Sequence, residues 1–166
     1  MERINDLLLT GGLLWIAWQD FKYRKVYLSS YLMIYALYGI RFMFFKHPPM
    51  DVVWINLLVT GILVVTLLLY YLLRYGLKTG NKVKSSIGMG DLLLIPVLTA
   101  SFSPGNFVLF LIVSYIIALS YGIIIRLIRK RDITIPLAGI QSLLLAIVLI
   151  LESAGLWNSW NDLILN

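Results

Sequence analysis

Two aspartates stand where a hydrophobic segment meets a polar one, and their type and placement suit them to chemistry. Asp91 follows a glycine pair in Ile87-Gly88-Met89-Gly90-Asp91-Leu92-Leu93-Leu94-Ile95-Pro96 and opens a hydrophobic segment. Asp20 closes the first hydrophobic segment, in Trp18-Gln19-Asp20-Phe21-Lys22-Tyr23-Arg24-Lys25. An ionisable group at a membrane helix end is costly to desolvate, so inside a bundle it marks a candidate functional site. Two carboxylates at close range cannot both ionise cheaply, and such a pair shares a proton. The ionised member can take a proton from water while the protonated member donates to a peptide carbonyl.

The elements that must position these acids follow from composition. Of the 166 residues, 60% are hydrophobic and 13% charged, and the mean hydropathy is +0.88. An ordinary soluble domain does not have these values, so the chain reads as an integral membrane protein, all-α, with its length used up by spans of about 20 residues each. There are no cysteines, which excludes disulfides, thiol catalysis and thiolate metal sites. A net charge of +6 is compatible with a nucleic-acid partner, but its distribution argues for membrane topology instead.

Taken in order, the apolar runs predict six helices, at about 4–20, 26–45, 52–75, 87–103, 106–128 and 133–152. The first has a weak Arg3 start and no small-residue cleavage site, so it reads as a retained helix and not a removable signal. The second is rich in Tyr and Phe, contains Arg41 and stops at Lys46-His47-Pro48-Pro49. Asp51 stands as an N-cap to the third. A polar, basic loop, Gly76 to Ser86, precedes the fourth. Ser103-Pro104-Gly105 closes the fourth span, and Arg126, Arg129, Lys130 and Arg131 gather at the end of the fifth. Trp157 and Trp160 in the tail suit a membrane interface. No internal repeat or second domain is evident, so residues 1–166 read as one membrane-embedded unit.

Most Lys and Arg residues lie after helices one, three and five: Lys22, Arg24, Lys25; Arg74, Lys78, Lys82, Lys84; and the cluster after the fifth. By the positive-inside rule these loops are cytoplasmic and both termini are outside. Asp20 then ends an inward-running helix and Asp91 begins an outward-running one, so both face the cytoplasmic boundary. Ile87 to Ser103 would span roughly 25 Å, only just enough for the hydrocarbon core, which sets Asp91 slightly below the interface.

These residues resemble the type IV prepilin peptidases and archaeal preflagellin peptidases, intramembrane aspartyl proteases with a Gly-x-Gly-Asp motif. Gly88, Gly90 and Asp91 match that motif. Asp20, with Lys22, Arg24 and Lys25, matches the family's first aspartate and the short basic stretch after it. Ile135-Pro136-Leu137-Ala138-Gly139 is similar to the Ile-Pro-Phe-Gly segment of bacterial members. Val26-Tyr27 stands where Ile-Pro is frequent, Leu93 stands where a lysine is frequent, and the amino-terminal cysteine-rich and methyltransferase region is missing. The resemblance implies a peptidase-only form that removes a short basic leader from prepilin or pseudopilin-like substrates at the cytoplasmic face. Asp20 and Asp91 would be its catalytic residues, and Gly88, Gly90 and Pro136 would shape the site. Membrane lipid is expected around the chain; no cofactor, metal or nucleic acid is.

Each residue also has a plainer reading. A carboxylate after a glycine turn suits a helix N-cap, Asp20 suits an interfacial acid neutralised by Lys22 or Arg24, and the glycines suit tight helix packing. Pro136 suits a helix's first turn. Asp51, Asp132, Glu152 and Asp162 read as caps or solvated loop acids, and His47 as an outer-face residue without a role. Arg41 reads as snorkelling to the outer interface, ahead of pairing to a buried acid. Two rival functions remain. A small transporter subunit predicts acids in mid-span, and none is apparent; a non-catalytic scaffold or assembly protein of a pilus or secretion system is kept open by Leu93 and the missing Ile-Pro. A presenilin-type relative shares Gly-x-Gly-Asp, but there a tyrosine precedes the first aspartate, where Gln19 stands here.

Overall fold

The computed structural model describes residues 2–45, 49–75, 88–129 and 135–160. All regular structure among them is helical: α1 (Glu2–Tyr23), α2 (Leu28–Phe44), α3 (Met50–Tyr75), α4 (Met89–Thr99), α5 (Pro104–Arg129) and α6 (Leu137–Ser153). Helix α1 packs most extensively on α6 and next on α2, while α4 touches α2, α3 and α6. Leu9, Leu13 and Ile16 of α1 meet Tyr31 and Ile34 of α2, Leu94 of α4 and Leu145 of α6 in a core sealed from solvent.

The bundle is apolar outside and partly polar inside. Met50–Tyr70 and Pro104–Ile128 are long and apolar enough to cross a membrane, each with a mean hydropathy of 2.6, yet only 6% and 22% of these stretches is buried. The core helix of a soluble protein would be mostly buried, so these surfaces face lipid and the chain is a membrane protein. Inside, Asn56, Asn106, Gln141 and Ser142 are closed off. Lipid offers no hydrogen bonds, so polar groups must find partners within the protein. Asn106 Nδ2 donates to the Ser159 carbonyl at 3.0 Å, and Ser30 Oγ donates to Gln19 Oε1 at 3.2 Å.

Several elements differ from the sequence expectation. The fourth helix occupies 89–99, not 87–103, and rises only about 16 Å at 1.5 Å per residue. Its end is fixed from α3, where Asn56 Nδ2 donates to the carbonyls of Thr99 at 2.9 Å and Phe102 at 2.8 Å. Those carbonyls are thereby satisfied without further helix. Helix α1 continues through Asp20 to Tyr23, and α5 starts at Pro104, whose missing N–H costs nothing at a first helical position. Asp51 lies inside the first turn of α3 and is not its cap. The basic loop 76–86, Lys46, His47, Lys130, Arg131, Asp132 and Asp162 lie outside the described residues.

Arg41 does not snorkel, and Glu152 is not a solvated acid. The Arg41 guanidinium is enclosed between α1 and α6, 3.1 Å from Glu152 Oε2 and 3.6 Å from Asp6 Oδ1. The three side chains are 6%, 9% and 11% exposed. The guanidinium finds its counter-charge in two carboxylates brought to it by neighbouring helices. Removing one member of such a group strands a buried charge. Arg41→Ala is therefore expected to cost about 3–5 kcal/mol of stability, measured by equilibrium unfolding in mixed micelles. Arg41→Met combined with Asp6→Asn and Glu152→Gln should recover most of that loss.

Candidate active site

Asp20 lies one turn before the end of α1. The chain reverses just after it at Arg24, whose left-handed backbone (φ 55°) closes the helix, with the Arg24 N–H donating to the Asp20 carbonyl at 3.0 Å. Asp91 is the third residue of α4. Its carboxylate reaches back to the N–H of the cap residue Gly88, the reciprocal contact that an acid at this position makes.

Both side chains are then claimed by a third element. The Gly139 N–H donates to Asp20 Oδ2 at 2.6 Å, and the Ala138 N–H donates to the Asp91 carboxylate. Ala138 and Gly139 are consecutive in the first turn of α6, where N–H groups have no partner within the helix. Their cap residue, Pro136, supplies no side-chain bond. Two aspartates from two other helices therefore cap α6 from outside, and its positive end favours their negative charge. The paired N–H groups bring the acids within electrostatic reach of each other.

The plainer reading of Asp20 fits this geometry poorly. Lys22 extends its ammonium over the Trp18 ring, 4.6 Å from the centroid. Arg24 contributes its field, yet among the described residues neither cation forms a salt bridge with Asp20.

Three glycines leave room that this arrangement fills. A Cβ on Gly88 would lie 2.8 Å from Asp91 Oδ2. One on Gly90 would lie 3.0 Å from the Tyr31 hydroxyl oxygen, and one on Gly139 would lie 3.1 Å from both Cβ and Oδ2 of Asp20. Their absent side chains are replaced by the acids and by Tyr31, so the glycines admit the protein's own groups to the site. Pro136 is buried at the head of α6, where it starts the helix that presents Ala138 and Gly139.

Beside Asp91 a cleft of about 310 Å3 runs between α3, α4, α5 and α6. Leu63, Leu92, Ile95 and Leu111 line it, with Tyr115 and Gln141 as polar members. Among the described residues no three His, Cys, Asp or Glu side chains converge as a metal ion would require.

An all-helical membrane protein that brings two carboxylates to the start of one helix has the groups an aspartyl peptidase would need. The Type IV leader peptidase family model matches residues 7–123, and the chain belongs to that family. No curated protein and no solved structure matches it significantly. The matched stretch contains Asp20, Gly88, Gly90 and Asp91, whereas Ala138 and Gly139 lie beyond it.

In the sequence Ala138 and Gly139 carry no role beyond their motif, Gln19 serves only to set the chain apart from presenilin-type relatives, and Tyr31 is not singled out. The one signal for Tyr31 was the spacing of Tyr31, Tyr35 and Tyr38, which places three hydroxyls along one side of a helix. Gly88→Ala and Gly139→Ala are expected to displace the carboxylates and lower peptidase activity at least about tenfold, since small misplacements of reacting groups are costly. Gly11→Ala, where a Cβ meets open space, should leave activity and folding intact, as read by cleavage rates in detergent.

Proposed function

We propose that this chain is an intramembrane aspartyl endopeptidase whose Asp20 and Asp91 together activate water. Its reaction is removal of the short basic leader of prepilin or pseudopilin-like proteins. The observation that carries this reading is the convergence of Asp20 and Asp91 on consecutive N–H groups of α6. One carboxylate is ionised and takes a proton from water. The water oxygen attacks the scissile carbonyl carbon, and the protonated carboxyl donates to the carbonyl oxygen. Collapse of the tetrahedral species then breaks the C–N bond as the departing nitrogen takes up a proton.

The rest of the molecule supports the same reading. In this reading residues 1–166 form a single membrane-embedded peptidase domain with both termini outside. The basic residues after α1, α3 and α5 put the acids at the cytoplasmic face. The apolar cleft beside Asp91 accommodates the hydrophobic residues that follow the leader. The reaction needs no cofactor, and its partners are the protein substrate and surrounding lipid.

Co-expression with candidate prepilins, read by the mass of the product, tests the assignment. Wild type is expected to remove a basic leader. Asp20→Asn and Asp91→Asn should each lower the rate at least about 1,000-fold, because members of a cooperating pair fail singly, while each variant still inserts in the membrane. Because one acid must be ionised and the other protonated, the rate should fall on both the acid and the alkaline side of an optimum. Normal cleavage by both variants would overturn the aspartyl mechanism, and a wild type that leaves every leader in place would favour the scaffold reading.

A further inference from the structure

Helix α2 contributes no acid to the site, yet it holds both segments that do. Gln19, the residue before Asp20, is only 2% exposed. Its Oε1 accepts from the Tyr27 N–H at 3.1 Å and from the Ser30 hydroxyl at 3.2 Å, so the start of α2 is tied to α1 next to Asp20. The following residue, Tyr31, is fully buried and donates its hydroxyl to the carbonyl of Gly90, the residue before Asp91, at 2.9 Å. Neighbouring residues of one helix turn therefore hold the residue preceding each aspartate, Ser30 through the Gln19 side chain and Tyr31 through the Gly90 carbonyl.

The contact with Gly90 is close-fitting. The Tyr31 oxygen occupies the space that a side chain on Gly90 would need, at 3.0 Å from a Cβ there. It also lies in the fields of both Asp20 and Asp91. Further along α2, Tyr35 donates to the Leu93 carbonyl, and Tyr38 donates to Ser101 Oγ at 2.6 Å, since that hydroxyl spends its own hydrogen on Val97. The ladder lines α2 up along α4, but only its first rung adjoins the acids.

We propose that Gln19, Ser30 and Tyr31 form a splint that sets the separation of Asp20 and Asp91, with Tyr31 as the positioning residue for Asp91. The α6 N–H groups fix where each carboxylate oxygen points. The splint fixes the backbones that carry them. This inference rests on the dyad reading for its effect on cleavage, but its structural content stands apart from that reading.

Tyr31→Phe removes one oxygen and keeps the ring, and Tyr38→Phe is the matching loss at the far end of the ladder. Amide hydrogen exchange of residues 88–95, followed without substrate, should accelerate up to about tenfold in Tyr31→Phe, the local opening that loss of one buried hydrogen bond allows. Exchange there should stay unchanged in Tyr38→Phe. In cleavage assays Tyr31→Phe should lower kcat about 10- to 100-fold with KM within about twofold, while Tyr38→Phe keeps the wild-type kcat. Unchanged exchange at 88–95 in Tyr31→Phe would overturn the proposal, whatever cleavage does. An equal fall in kcat for both variants would do so too, by showing a general loss of stability. If Asp20→Asn and Asp91→Asn still cleave, the dyad reading fails while the exchange result still decides the splint.

Discussion

The site depends on the unsatisfied start of one helix. A helix leaves its first N–H groups without internal partners, so each needs an acceptor from outside the helix. Here α6 begins at a proline that offers no side-chain cap, so its open donors at Ala138 and Gly139 are met by carboxylates from α1 and α4. One arrangement answers two needs. The helix end is satisfied, and two carboxyl groups from different helices are brought together by adjacent N–H donors. The lack of a Cβ at Gly139 lets the Asp20 side chain approach closely enough to take its N–H.

Around that contact the bundle follows the logic of a protein whose solvent is lipid. Apolar side chains cover α3 and α5 outwardly, and the directional interactions are inside. Helix α2 carries most of them along one stripe: Ser30 and Tyr31 beside the acids, Tyr38 in the middle, Arg41 at the other end. The Arg41 group joins α1, α2 and α6 through charge, whereas the opposite end joins α1, α4 and α6 through backbone donors. In hydrocarbon the hydrophobic effect gives little preference among helix pairings, so polar contacts of this kind define the register.

What the sequence made legible was local. Gly88, Gly90 and Asp91 lie together in the chain, and Asp20 sits at a visible boundary of hydropathy, so the two acids stood out as candidates, and the all-helical class and the membrane setting could be read directly. The contacts that place them could not. Asp20 and Gly139 are far apart in sequence, as are Tyr31 and Gly90, and no periodicity announces such partners. Arg41 was misread because its acids, Asp6 and Glu152, lie near opposite ends of the chain and each resembles a surface residue in its own segment. The fourth helix was drawn too long because hydropathy continues through Phe102, while the signal that ends it is Asn56 of another helix.

The order in which a membrane chain is synthesised gives the α6 contact a further meaning. During synthesis Asp20 and Asp91 leave the ribosome before residues 135–139 do. A nascent chain that already holds α1 to α5 has the acids but lacks the donors that orient them, and its carboxylates have no fixed geometry. The two acids gain their shared partner only when α6 has followed α1 to α5 into the fold.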